Sequence, residues 1–185
     1  MLVIGITGTL GAGKGTIVQY LVDQKKFTHF SVRGYLLKEI RIRGIAENRD
    51  NMVSVANELR KKHGSSFIVE QLYLEAKQSG ENTIIESIRN TGEIEGLKKL
   101  GTFILLAVDA SPEIRFKRIV ERQSETDKIL FDEFIANEKR EMQSSDPNAQ
   151  NISACMNKAD FHLSNDGTLD ELHLQIDQVI QQLNI

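Results

Sequence analysis

An unbroken apolar run, Leu2-Val3-Ile4-Gly5-Ile6-Thr7, leads straight into the glycine-rich stretch Gly8-Thr9-Leu10-Gly11-Ala12-Gly13-Lys14-Gly15-Thr16. An apolar run without polar alternation is a strand covered on both faces, as in a parallel sheet with helices on either side. The stretch after it nearly fits the phosphate-cradling pattern G-x-x-x-x-G-K-[ST], with Gly15 where a hydroxyl is expected and Thr16 one residue late. Ile17, Val18 and Leu21 then recur at helical spacing. Strand, glycine loop and helix in that order commit the chain to an α/β fold in which backbone amides and a helix N-terminus face an anion. In such a loop Gly11, Gly13 and Gly15 tolerate positive φ and keep side chains out of the approach, while Lys14 supplies a cation for the β- and γ-phosphates.

The rest of the chain repeats the alternation. Strands are predicted at Leu2–Thr7, Thr28–Ser31, Thr83–Glu86, Thr102–Val108 and Phe161–Ser164, the fourth again continuously apolar at Ile104-Leu105-Leu106-Ala107-Val108. Ser111-Pro112-Glu113 offers an N-cap, a proline at the first helical position and an early acid, and Thr168-Leu169-Asp170-Glu171 is a capping box. A long polar helical insertion spans residues 33–80, punctuated by Gly44 and Gly64. With 185 residues, no repeat and no linker composition, one domain covering 1–185 is expected.

Charge and composition narrow the function. A net charge of −3 lacks the basic excess that nucleic-acid binding draws on. A single cysteine, Cys155, allows no intrachain disulfide and fits a reducing compartment. No apolar stretch approaches membrane-span length and no signal peptide is seen, so neither a membrane nor a nucleic-acid partner is expected, and a cytoplasmic location is. The four histidines are isolated, which disfavours a protein-bound zinc site. Asn157-Lys158-Ala159-Asp160 spells the guanine-reading N-K-x-D, but it precedes the last strand instead of following one, and no D-x-x-G motif accompanies it. It reads as a helix end entering a strand.

The spelling G-x-x-G-x-G-K-G-T resembles the phosphate loop of the nucleoside monophosphate kinases, the adenylate kinases above all. That resemblance implies a P-loop α/β/α fold with a five-stranded parallel sheet in the order 2-3-1-4-5. It also implies ATP bound by Gly11, Ala12, Gly13, Lys14, Gly15 and Thr16, and magnesium near Thr16, held largely through water. In Ile85-Glu86-Ser87-Ile88-Arg89 the family's Asp-Gly-Phe-Pro-Arg is matched at two positions, with Glu86 as the metal-organising acid acting through water and Arg89 on the acceptor. Glutamate replaces aspartate there and the spacing is one residue shorter. Ser31, Arg33 and Arg49 fall in the acceptor region, where a rigid guanidinium fork suits phosphate oxygens.

Arg115, Arg118 and Arg122 recur at helical spacing before a polar loop and a helix from Phe131 to Met142, which is similar to the lid of small kinases over residues 115–130. Arg118 and Arg122 match the arginines that close on the transferring phosphate. The stretch from Ala159 to Gly167 is similar to the end of dephospho-CoA kinases, where Asn165 and Gly167 would border the adenine. The expectation is ATP- and magnesium-dependent phosphoryl transfer, with Lys14, Arg118 and Arg122 catalytic, to a small nucleotide-like acceptor. A nucleoside or deoxynucleoside monophosphate leads. Dephospho-CoA is the alternative acceptor and a non-catalytic nucleotide-binding regulator the alternative role. Oligomeric state is left open.

Overall fold

In a computed structural model of the chain, residues 1–122, 130–146 and 149–184 are described. The strands β1 (Leu2–Gly8), β2 (Thr28–Ser31), β3 (Thr83–Glu86), β4 (Thr102–Asp109) and β5 (Phe161–Ser164) form a five-stranded parallel sheet in the order β2-β3-β1-β4-β5. These are the five predicted strands, with β1 and β4 each one residue longer at the carboxyl end. Successive strand side chains point to opposite faces. Val3, Ile85, Phe103 and Leu105 therefore enter one core, and Ile4, Ile6, Ile84, Leu106 and Val108 enter the other. That is why the strands read as continuous apolar runs.

Helices α1 (Lys14–Lys25) and α9 (Leu169–Gln182) cover the second face through Ile17, Leu21, Leu172 and Ile176. The first face takes α2 (Val32–Ile42), α3 (Arg49–His63), α4 (Phe67–Ser79), α5 (Thr91–Leu100) and the short α8 (Ile152–Asn157). The insertion thus consists of α2, α3 and α4, with Gly64 and Gly80 at the ends of the last two. Each fully buried isoleucine or leucine contributes roughly 1.5–3 kcal/mol, so the two cores carry the fold.

The remaining helices are α6 (Pro112–Arg122) and α7 (Phe131–Met142). The predicted capping box at Thr168 forms, with the Thr168 hydroxyl accepting from Glu171 N. Cys155 lies buried in α8, and burial pushes its thiol up to about 12. The N-K-x-D stretch closes α8 and enters β5, with Asp160 accepting a 2.8 Å hydrogen bond from Leu105 N. Among the described residues, no helix is long and apolar enough to cross a membrane.

Candidate functional site

The carboxyl ends of β1, β2, β3 and β4 deliver Gly8, Ser31, Glu86 and Asp109 to one edge of the sheet. Ligands of open α/β sheets bind at that edge. A cleft of about 660 Å³ opens there, lined by the phosphate loop, Arg33, Arg49, Glu86, Ser87, Arg89, Arg118 and Arg122.

The loop is held by groups far away in sequence. Thr9 Oγ1 donates to Asp109 Oδ1 at 2.5 Å, Arg115 Nη1 to Leu10 O at 3.3 Å, and Asn165 Nδ2 to Ala12 O at 2.8 Å. Gly13 caps α1 with φ 104°, and a Cβ there would stand 2.2 Å from Asn165 Nδ2. Only glycine combines that backbone with that neighbour. Gly15 differs from the sequence expectation: it lies in the first turn of α1 with no positive φ, and the space around it is open. Its contribution is an exposed helix N-terminus without a side chain over it. Lys14 Nζ folds back onto Gly8 O (2.9 Å) and Thr9 O (2.7 Å). Burial, then the charge of Arg89, lowers its pKa from 10.5 to about 7, with Glu86 and Glu141 working against them.

Glu86 ends β3 opposite Ser31, the register that lets Ser31 Oγ donate to Glu86 Oε1 at 3.1 Å. Ser87 Oγ donates to Glu86 Oε2 at 2.8 Å from a left-handed residue, φ 67°. That turn aims the following segment back across the sheet edge, where Ile88 N donates to Ile6 O and Thr7 Oγ1 to Ile88 O. Arg89 then enters the cleft.

Of the predicted acceptor residues, Arg49 and Arg89 come together, Arg33 lines the same cleft at its exposed rim, and Ser31 stands on Glu86. Beneath them a smaller hollow of about 100 Å³ is walled by Val32, Leu36, Met52, Val53 and Ala56. Arg118 and Arg122 reach the cleft from α6, and Arg118 Nη1 is buried with no hydrogen-bond partner among the described residues. Arg115 does not join them. It is 2% exposed and pairs with Glu138 of α7 through both terminal nitrogens, so it braces the loop and α7. Residues 123–129 of the predicted lid lie outside the described residues. The Asn165 amide is engaged by the loop and by Arg118 Nη2 (3.4 Å), while Gly167 leaves room for the Glu171 carboxylate of the capping box.

Three groups escaped the sequence reading. Glu141 of α7 is buried and accepts from Arg49 Nη2 at 2.5 Å and from Arg89 Nη1 at 3.0 Å. Gln150 Oε1 takes a further 2.9 Å bond from Arg89 Nη1. The Arg60–Glu93 ion pair, 1% and 0% exposed, links α3 to α5 at 2.8 Å, and Glu93 Oε2 also accepts from Arg89 N (2.9 Å) and Asn90 N (3.1 Å). Asn90 and Glu93 form a capping box, a signal readable as N-x-x-E before α5. Nothing local announces Glu141, which lies 52 residues from Arg89.

Among known proteins, the family model described as AAA domain matches residues 4–146. A UPF0200 protein of Methanococcus vannielii is 30% identical over 186 residues, covering 99% of this chain and 97% of that one. The structure of TT1252 from Thermus thermophilus matches with a TM-score of 0.65 at 17% identity, covering 98% of this chain and 97% of that one. Shikimate kinase from Bacteroides thetaiotaomicron matches with a TM-score of 0.59 at 14% identity, covering 100% and 99%. The fold is that of the P-loop kinases.

Proposed function

This chain belongs to the AAA domain family and to the UPF0200 proteins, and from that premise we propose that it transfers the γ-phosphoryl group of ATP to a small nucleotide-like acceptor. A nucleoside or deoxynucleoside monophosphate is the acceptor class we favour. The supporting observation is the single cleft that the phosphate loop lines from one side and Arg49 and Arg89 from the other.

Phosphoryl transfer is mostly positioning and charge neutralisation. Residues Gly11 to Thr16 hold the polyphosphate by backbone amides at the α1 N-terminus, with Lys14 swinging from its loop carbonyls onto the β- and γ-oxygens. Arg118, whose Nη1 has no hydrogen-bond partner among the described residues, takes an equatorial oxygen of the transferring group, and Arg122 adds charge beside it. Arg49 and Arg89 orient the acceptor phosphate, Arg33 standing at the rim. A phosphate acceptor needs no strong general base, and among the described residues the carboxylate that lines the acceptor hollow, Glu141, is held by Arg49 and Arg89.

Among the described residues, no group of three or more His, Cys, Asp or Glu could hold a metal ion. A lone carboxylate, Glu86, shares the cleft with the Thr16 hydroxyl. That donor set fits magnesium, which keeps several waters and takes its other oxygens from phosphates. Glu86 acting through water and Thr16 would hold it, and when bound it would offset the negative charge of the phosphates.

ADP formation from ATP and magnesium, measured across nucleoside monophosphates and dephospho-CoA, tests this reading. Acceptor-dependent ADP that Lys14→Ala abolishes is the expected result. Dephospho-CoA as the one productive acceptor would reassign the substrate. Nucleotide binding without acceptor-dependent ADP would make the protein a regulator instead, and unchanged turnover in Lys14→Ala would refute the mechanism.

A further inference from the structure

The two arginines that would receive the acceptor already hold an anion of the protein's own. Glu141 Oε1 sits 2.5 Å from Arg49 Nη2 and Glu141 Oε2 sits 3.0 Å from Arg89 Nη1, so the carboxylate bridges them as two oxygens of a phosphate would. Its side chain is 6% exposed, whereas those of Arg49 and Arg89 are 21% and 23% exposed. Arg49 Nε is buried and has no hydrogen-bond partner among the described residues, so the pair with Glu141 leaves one donor of this site unused. Glu141 is carried by α7, which α6 grips through Arg115 and Glu138. The apolar wall of Val32, Leu36, Met52, Val53 and Ala56 lies next to the bridged arginines.

We propose that Glu141 is an internal competitor that sets an affinity threshold for the acceptor site: an incoming anion must displace its carboxylate from Arg49 and Arg89. This rests on the kinase reading above. Exchange of one bridging anion for another returns little binding energy, because the arginines are charge-paired before and after. Free phosphate has nothing else to offer and is turned away. A phosphate monoester with an apolar or aromatic body gains the adjoining wall as a second contact and still binds. The displaced Glu141 leaves Arg49 Nε and both bridging nitrogens to the ligand.

The same displacement cost falls on every anion, so removing it should tighten all of them by one common factor. Isothermal titration of wild type, Glu141→Gln and Glu141→Asp with inorganic phosphate and with AMP reads this directly. Glu141→Gln is expected to bind both probes about tenfold or more tightly than wild type. Glu141→Asp, one methylene short of bridging both arginines, is expected to fall between, and it serves alone should Glu141→Gln fail to fold. Adding Arg49→Gln to Glu141→Gln must erase the gain, which separates this site from the phosphate loop. Unchanged or weaker phosphate binding in both Glu141 variants overturns the proposal, as does a gain that survives Arg49→Gln. Neither readout needs turnover. A missing gain beside acceptor-dependent ADP formation would sink the threshold and leave the kinase reading standing, and the reverse pattern would do the opposite.

Discussion

Gly13→Ala should damage the phosphate loop by a route that a second substitution can expose. Alanine at φ 104° carries backbone strain of about 1–2 kcal/mol. Its Cβ would also stand 2.2 Å from Asn165 Nδ2. The overlap itself is escapable, since Asn165 can swing, but it then gives up its 2.8 Å bond to Ala12 O. Ala12 is 0% exposed and Asn165 7%, so the abandoned carbonyl has no water to turn to. Leaving a buried acceptor unpaired costs about 1–3 kcal/mol. The single variant should therefore lose about 2–5 kcal/mol, a Tm drop of roughly 5–15 °C for a chain of this size. Asn165→Ala alone should lose about 1–3 kcal/mol for the same carbonyl. In the double variant the carbonyl is lost only once and the clash is gone, so it should be no worse than Gly13→Ala. The cycle should thus show a coupling of about 1–3 kcal/mol. Urea unfolding of the four proteins measures it. Additivity within about 0.5 kcal/mol would refute the reasoning, because it would mean that the two residues do not meet.

Other outcomes follow from the same site. Lys14 titrates near 7 in the fold and at 10.5 when free, so between those values the unfolded chain binds the extra proton. Stability should therefore rise as pH climbs through that window, its cost being complete below 7. A bound polyphosphate restores the charge on Lys14, so nucleotide binding should take up protons there and weaken as pH rises. Calorimetry at about pH 8 in buffers of different ionisation enthalpy checks this, and proton release would count against it. Glu93→Gln strands the buried Arg60 charge and loosens the Arg89 backbone. A loss of about 3–5 kcal/mol is expected by chemical denaturation. Ser87→Val places a β-branched residue at φ 67° and should cost about 1–3 kcal/mol, with Ser87→Gly close to neutral in the same assay.

Much of the fold is written in short-range patterns. Ile104 to Val108 is apolar at every position because adjacent residues fill different cores, and Thr168 to Glu171 spells a cap that forms as spelled. Lys14, Arg49, Arg89, Arg118 and Arg122 reach one cleft because each stands at a predictable end of a strand or on a face of a helix. What the sequence could not show is how the charges would pair. Arg115 carries the same charge as Arg118 and lies one turn away on α6, yet it is buried on Glu138 while Arg118 faces the cleft. Glu141 meets Arg49 across 92 residues. Such pairs depend on how α7 packs against α6 and α8, which no local spacing encodes. Gly15 shows the converse: of the two roles expected of it, positive φ is not used, since it is an ordinary helical residue, and the missing side chain is what counts.

The Asn165–Ala12 bond joins positions 153 residues apart, and this gives the phosphate loop a history as well as a shape. Its glycines leave the ribosome some 153 residues ahead of the amide that fixes them. At about 5–20 residues per second the nascent loop waits on the order of ten seconds or more for its brace. Until β5 docks beside β4, Ala12 O has no amide to accept from, and the cradle stays slack. Nucleotide should therefore be a late passenger in the life of this chain, captured by the completed sheet and not by the segment whose sequence advertises it.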